Sequence, residues 1–208
     1  MKHEPKDFQR LVAQCRGFLS ETQLEAHFEL YRGYVKKLNE IEEKLKTAPA
    51  GDANYSFSEY SELRRREPVA YNGTVLHELY FENLGPAGAP VPRTFKDAAQ
   101  SAFGSWEKAV ADLKGMAASA HGWVLVTHDG NFGGIRHNLV QSEHHVGLLP
   151  NQTVLLAIDC WEHAYFADYQ TKKAEYLTGL IDHIHWPAVD ARLARCAARE
   201  KELEHVGA

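Results

Sequence analysis

The stretch that decides the architecture is Val154-Leu-Leu-Ala-Ile-Asp-Cys-Trp-Glu-His-Ala-Tyr165. Its first five residues form a short apolar run of the kind that fills a buried strand. At Asp159 the texture changes, and acid, aromatic and imidazole side chains mark the point where strand gives way to helix. Residues at such junctions are held by rigid elements yet face a cavity. Upstream, Gly122-Trp-Val-Leu-Val-Thr127 reads as a strand and His128-Asp-Gly-Asn131 as the turn that follows it. Gly134 to Val140 is then a second strand, and 154–158 the third, in a small antiparallel sheet.

Helical signals flank the sheet. Ser20-Glu-Thr-Gln23 has the form of a capping box. Leu24, Phe28, Tyr31, Val35, Leu38 and Ile41 follow at intervals of three or four, one apolar stripe of a helix reaching Leu45. Thr47-Ala-Pro-Ala-Gly-Asp-Ala53 breaks it. A second helix spans about Ser56 to Asn83, with Pro68 expected to bend or split it. Two helices joined so closely read as an antiparallel hairpin. Gly85-Pro-Ala-Gly-Ala-Pro-Val-Pro92 reads as a linker, dividing a helical-hairpin domain, 1–84, from an α/β domain, 93–208. Thr94 to Ala120 is helical with an interruption near Gly104-Ser105, and helical spacing returns from Glu162 to about Glu204. The fold class is α+β.

Composition narrows the function. The chain of 208 residues is long enough to bury a core without disulfides or a structural metal. A net charge of −5 argues against a nucleic-acid partner but leaves room for a local basic funnel toward a small anion. Cys15, Cys160 and Cys196 are odd in number and unpaired in spacing, which suits a reducing compartment. Neither a signal-peptide pattern nor a membrane-length apolar run is present, so a cytoplasmic protein is expected. Twelve histidines are the unusual count, and they direct attention to metals.

Asp159 and His163 offer an oxygen and a nitrogen ligand four residues apart, a pair that suits iron, manganese or zinc. Alone, that spacing equally describes a capping Asp with a hydrogen-bonded core His. His27 lies on the inner stripe of the first long helix and His77 on the apolar side of the second, where a hairpin lets them face each other. Together the four residues make a three-His, one-Asp set with an open position, the composition of a mononuclear redox site.

Asp159-Cys-Trp-Glu-His-Ala-Tyr165 resembles the D-x-W-E-H-A-Y pattern of the iron/manganese superoxide dismutase family. Leu19-Ser-Glu-Thr-Gln-Leu-Glu-Ala-His27, Tyr34-Val-x-x-Leu-Asn39 and Asn72-Gly-Thr-Val-Leu-His-Glu-Leu-Tyr-Phe81 resemble its two ligand helices, in the family's order. The resemblance runs from about residue 18 to 190 and implies an N-terminal helical hairpin, a C-terminal α/β domain and one iron or manganese ion between them. It implies His27, His77, Asp159 and His163 as ligands, superoxide as substrate, and Tyr34 as a gateway phenol able to relay protons. It also implies a homodimer bridged by Glu162, whose carboxylate reaches His163 of the other subunit. The alternative is a non-catalytic metal-binding member that keeps the fold.

Three departures shape further expectations. His27 and Tyr34 are seven residues apart, where the family usually has eight with a histidine between. Seven positions return to nearly the same helix face, so a regular helix without a π-turn is expected. Tyr31 is the residue available to take part of the missing histidine's role. Gly73 stands where iron-type members carry a glutamine that holds the metal's solvent. Gln141 is therefore the candidate donor and His145 its rival, in a segment, 141–146, that reads as an insertion. Other features have ordinary readings: Arg64-Arg65-Arg66 as a solvated helix face, His144-His145 as loop or support, Cys160 as a small buried residue, and residues 1–18 as a helix packed on the body or on a partner.

Overall fold

The computed structural model describes residues 2–206. A short α1 (Arg10–Gln14) precedes two long helices, α2 (Glu21–Leu45) and α3 (Glu59–Glu82), packed as the hairpin the sequence predicts. Ser20 caps α2, its hydroxyl accepting from the Gln23 N–H at 3.1 Å. The second half of the capping box does not form. The Gln23 amide is spent elsewhere, and the Ser20 N–H donates instead to Asp168 at 2.6 Å. Pro68 does not split α3, which runs as one helix from Glu59 to Glu82. Pro68 leaves the carbonyl of Arg64, an exposed residue, without its usual N–H donor.

Beyond the 85–92 segment come α4 (Arg93–Phe103) and α5 (Trp106–Ser119), separated by the left-handed Gly104. The sheet follows: β1 (Gly122–Asp129), β2 (Ile135–Gln141) and β3 (Gln152–Asp159), antiparallel throughout in the order β2-β1-β3. The central strand β1 is buried along its whole length, its apolar run 122–126 in the core and its polar end, Thr127 to Asp129, buried as well. Its register places Trp123 opposite both Val140 and Asp159. A 3₁₀ turn (Glu162–Ala164) leads into α6 (Phe166–Tyr169), α7 (Lys173–Asp182) and α8 (Trp186–Val206).

The first residues pack on the body. Phe8 and Leu11 are buried, and the Phe8 ring lies 5.0 Å from that of Phe81 on α3. Gln23 joins the two halves of the chain: its amide donates to the His163 carbonyl at 2.6 Å and its oxygen accepts from Ala167 at 3.0 Å. A residue at the start of α2 thus fixes the turn that carries His163. No described helix is long and apolar enough to cross a membrane.

Candidate metal centre

His27 from α2, His77 from α3, Asp159 at the end of β3 and His163 in the following turn converge, with one ligand atom of each lying within 4.8 Å of every other. Three imidazole Nε2 atoms surround a single carboxylate oxygen. Asp159 Oδ2 stands 3.3 Å from His27, 3.7 Å from His77 and 3.1 Å from His163. Atoms bound about 2.1 Å from one ion lie about 3.0 to 4.2 Å apart across the range of coordination angles, so these separations fit a shared metal.

The hydrogen bonding supports the same conclusion. Neither ring nitrogen of His27 nor Nε2 of His77 has a hydrogen-bond partner among the described residues, and both rings are fully buried. Leaving such atoms unpaired costs about 1–3 kcal/mol each, a penalty that coordination removes. His77 Nδ1–H donates to the Gly73 carbonyl one turn earlier on α3. A carbonyl only accepts, so the His77 proton sits on Nδ1 and the Nε2 lone pair is presented to the cavity. Burial lowers the pKa of both His27 and His77 and keeps them neutral, as ligands must be. Burial pushes the Asp159 carboxyl up, but the facing His163 and His27 outweigh it and hold the group well below the usual carboxylate range. The Trp161 backbone N–H donates to Asp159 Oδ1 at 2.9 Å and aims Oδ2 inward. The Tyr176 hydroxyl bonds the Asp159 carbonyl at 2.8 Å and, from its other side, Tyr80 at 3.1 Å.

Tyr34 reaches this cavity from α2, which is regular α-helix from Glu21 to Leu45 with no π-turn, as the seven-residue spacing predicts. Its ring stacks 5.3 Å from that of His77. Gly73 is what admits it: a Cβ there would lie 2.5 Å from Tyr34 Cδ1. Burial, followed by the Asp159 charge, raises the pKa of the Tyr34 phenol, which stays protonated.

Two expectations need correction. Gln141 does not approach the cavity. Strand alternation turns Val140 inward and Gln141 to solvent. The backbone then turns at left-handed Ser142, φ 63°, and brings the next-but-one residue, His144, inward. His145, the rival, makes no contact with Tyr34 or Trp123 among the described bonds. His144 does both: Nδ1 accepts from Trp123 Nε1–H at 2.8 Å, and Nε2 lies 2.6 Å from the Tyr34 hydroxyl. Tyr31 is the second correction. Its hydroxyl donates to Glu78 at 2.8 Å and accepts from the Lys6 N–H at 2.9 Å, so it anchors the N-terminal arm rather than facing the cavity. From the sequence, Gln23 was read only as part of a cap and His144 only as loop or support, and Trp123 was given no role in the site. Trp123 carried a usable signal, since a buried indole needs a polar partner for its N–H.

Residues 92–192 match the family of iron/manganese superoxide dismutases, C-terminal domain. The superoxide dismutase [Fe] of Aquifex pyrophilus is 37% identical, over 98% of this chain and 96% of the relative. That of Cupriavidus metallidurans is 34% identical over 93% and 98%. The chain belongs to the iron/manganese superoxide dismutases. A manganese-named member, superoxide dismutase [Mn] 2 of Haloferax volcanii, is 30% identical over 84% of this chain and 86% of its own length. In this dismutase family member, His27, His77, Asp159 and His163 form a site for one iron or manganese ion.

The remaining candidates keep their ordinary readings. Burial pushes the Cys160 thiol up to about 12 and the Cys15 thiol up to about 11, which leaves both unreactive. Arg64 and Arg65 pair with Glu67 and Glu62 on the same helix. Arg66 instead reaches a different element.

Proposed function

We infer that the chain is a superoxide dismutase, and the observation that carries this is three imidazoles and one carboxylate converging beside a buried phenol. When bound, iron or manganese supplies reversible one-electron chemistry by which two superoxide anions and two protons become oxygen and hydrogen peroxide. Residues 1–84 contribute His27 and His77, and residues 93–208 contribute Asp159 and His163. Asp159 is the single anionic ligand, which keeps the site's charge low enough for either redox state. The tautomer of His144 decides what Tyr34 can do. An indole is only a donor, so Nδ1 of neutral His144 accepts and Nε2 carries the proton. Nε2–H therefore donates to the phenol oxygen, and the Tyr34 hydroxyl hydrogen is free to turn toward the ligand cavity. In this arrangement Tyr34 is the proton donor, with His144 and Trp123 holding it in place.

The deciding experiment measures superoxide decay with protein reconstituted separately with iron and manganese, alongside metal analysis. One ion per chain with rapid decay in at least one form is expected. Full metal loading with no acceleration in either form leaves the non-catalytic reading.

The working form is a symmetric dimer in the cytoplasm. Glu162 is exposed beside His163, whose side chain remains 30% exposed, and Phe166 close by is 46% exposed. His163 turns Nε2 to Asp159, and its other ring nitrogen has no partner among the described residues. A twofold axis past this patch would let Glu162 of each subunit accept from that nitrogen of the other, twice by symmetry. Sedimentation should give a dimer at micromolar protein, loosened by Glu162→Ala. A wild-type monomer, or a variant unchanged in both mass and metal selectivity, would make Glu162 a surface residue only.

A further inference from the structure

Arg66, Ala70, Gly73 and His77 succeed one another on α3 at steps of four, three and four residues, a single stripe of the helix. His77 ends the stripe at the metal cavity, and the Tyr34 ring lies on Gly73. At the outer end the Arg66 guanidinium stands 3.3 Å from the carboxylate of Glu143, 77 residues further along the chain. Glu143 immediately precedes His144, which bonds Tyr34. The contacts close a ring, from α3 through Glu143 and His144 to Tyr34 and back onto Gly73 of α3.

The segment that carries His144 has few other restraints. It leaves β2 through left-handed Ser142 and returns through backbone bonds of 3.0 Å from Gln141 N–H to the Val146 carbonyl and from Val146 N–H to the Glu143 carbonyl. Val146, Leu148 and Leu149 that follow are exposed rather than packed. Of the three consecutive arginines, Arg64 and Arg65 satisfy themselves locally, whereas Arg66 spends its ion pair across this gap.

We propose that Arg66 and Glu143 are a latch that closes the 142–146 loop onto α3 and thereby positions His144 against Tyr34. Neither residue touches the ligand cavity, so both are positioning residues. Both side chains are about half exposed, 59% and 48%, so the pair is worth little and is screened by salt. A latch of that strength holds the loop while letting it open often. Arg66 and Tyr34 also line one cavity between α2 and α3, so the latch sits on the helix pair that carries the phenol. The effect on turnover rests on the dismutase reading. The mechanical claim does not.

The test uses the metal-loaded wild type, the charge reversals Arg66→Glu and Glu143→Arg, and the swap that carries both. Amide exchange at Gln141 and Val146 reports loop opening, and kcat/KM for superoxide reports its consequence. Each single reversal should speed exchange about two- to fivefold and lower kcat/KM by a similar factor at unchanged metal content, and the swap should return both toward wild type. Exchange in the single variants equal to that of the wild type, or a swap no better than either single, overturns the latch. A wild type that exchanges as expected but does not consume superoxide would defeat the dismutase reading and leave the latch standing.

Discussion

Asp159→Ala should leave the protein without its metal and without dismutase activity. Asp159 Oδ2 is the atom that all three imidazoles approach, at 3.1 to 3.7 Å, and it is the only anion in the set, itself fully buried with His27 and His77. Without it, three imidazoles face a cation with no compensating charge, and the Trp161 backbone N–H that aimed the carboxylate loses its acceptor. Replacing residues that merely support a ligand costs about 10- to 100-fold in metal affinity or activity, so loss of the anionic ligand should exceed a hundredfold. Two measurements check this. Metal analysis after gel filtration should find the variant nearly empty. Thermal unfolding should respond to a chelator in the wild type, because a bound ion stabilises only the folded chain, and should not respond in Asp159→Ala. A variant that retains its ion, or a wild type indifferent to chelation, would remove Asp159 from the ligand set.

His144→Ala should keep the metal and lose most of the activity. It removes the acceptor of the Trp123 indole N–H and the donor to Tyr34 in one change. The unpaired, fully buried indole should cost about 1–3 kcal/mol of stability. The loss of control over Tyr34 should lower kcat/KM by about 10- to 100-fold with metal content unchanged. His144→Gln separates positioning from packing. A carboxamide can accept from the indole with its oxygen and donate to the phenol with its nitrogen, so it should recover much of the activity that Ala loses. A shift in the metal's visible spectrum with His144→Ala, reversed by Gln, would locate the effect at the site rather than in the fold. Gln141→Ala provides the contrast, since that side chain faces solvent. If Gln141→Ala lowered activity as much as His144→Ala, the assignment of His144 would fail.

The sequence by itself determined the elements and the ligands. Long amphipathic stripes, a cap at Ser20 and an apolar run at 122–127 are local signals, and each specifies its structure through spacing that neighbours along the chain already contain. His27, His77, Asp159 and His163 were legible because two lie on periodic helices and the other two sit in one specific local string. The seven-residue step from His27 to Tyr34 fixed their common face for the same reason, since helix geometry converts spacing into direction.

What only the tertiary structure decided lies where the chain leaves that periodicity. Beyond Gln141 the strand's two-residue alternation ends, and one left-handed residue, Ser142, determines which of three polar neighbours turns inward. No composition or spacing rule carries across such a turn, so Gln141 and His145 were taken as the donor candidates while His144 was read only as loop or support. Gln23 illustrates the second limit. Its position in a capping box predicts a bond to Ser20, but its amide bridges to His163 and Ala167, 140 and 144 residues away, once the fold brings the turn beside α2. Tyr31 follows the same rule: the helix stripe placed its ring, whereas Lys6 and Glu78, from an arm and a second helix, determined where its hydroxyl points. Backbone direction is written in local sequence, whereas the partner of a polar side chain is chosen by whichever distant group packing delivers to it.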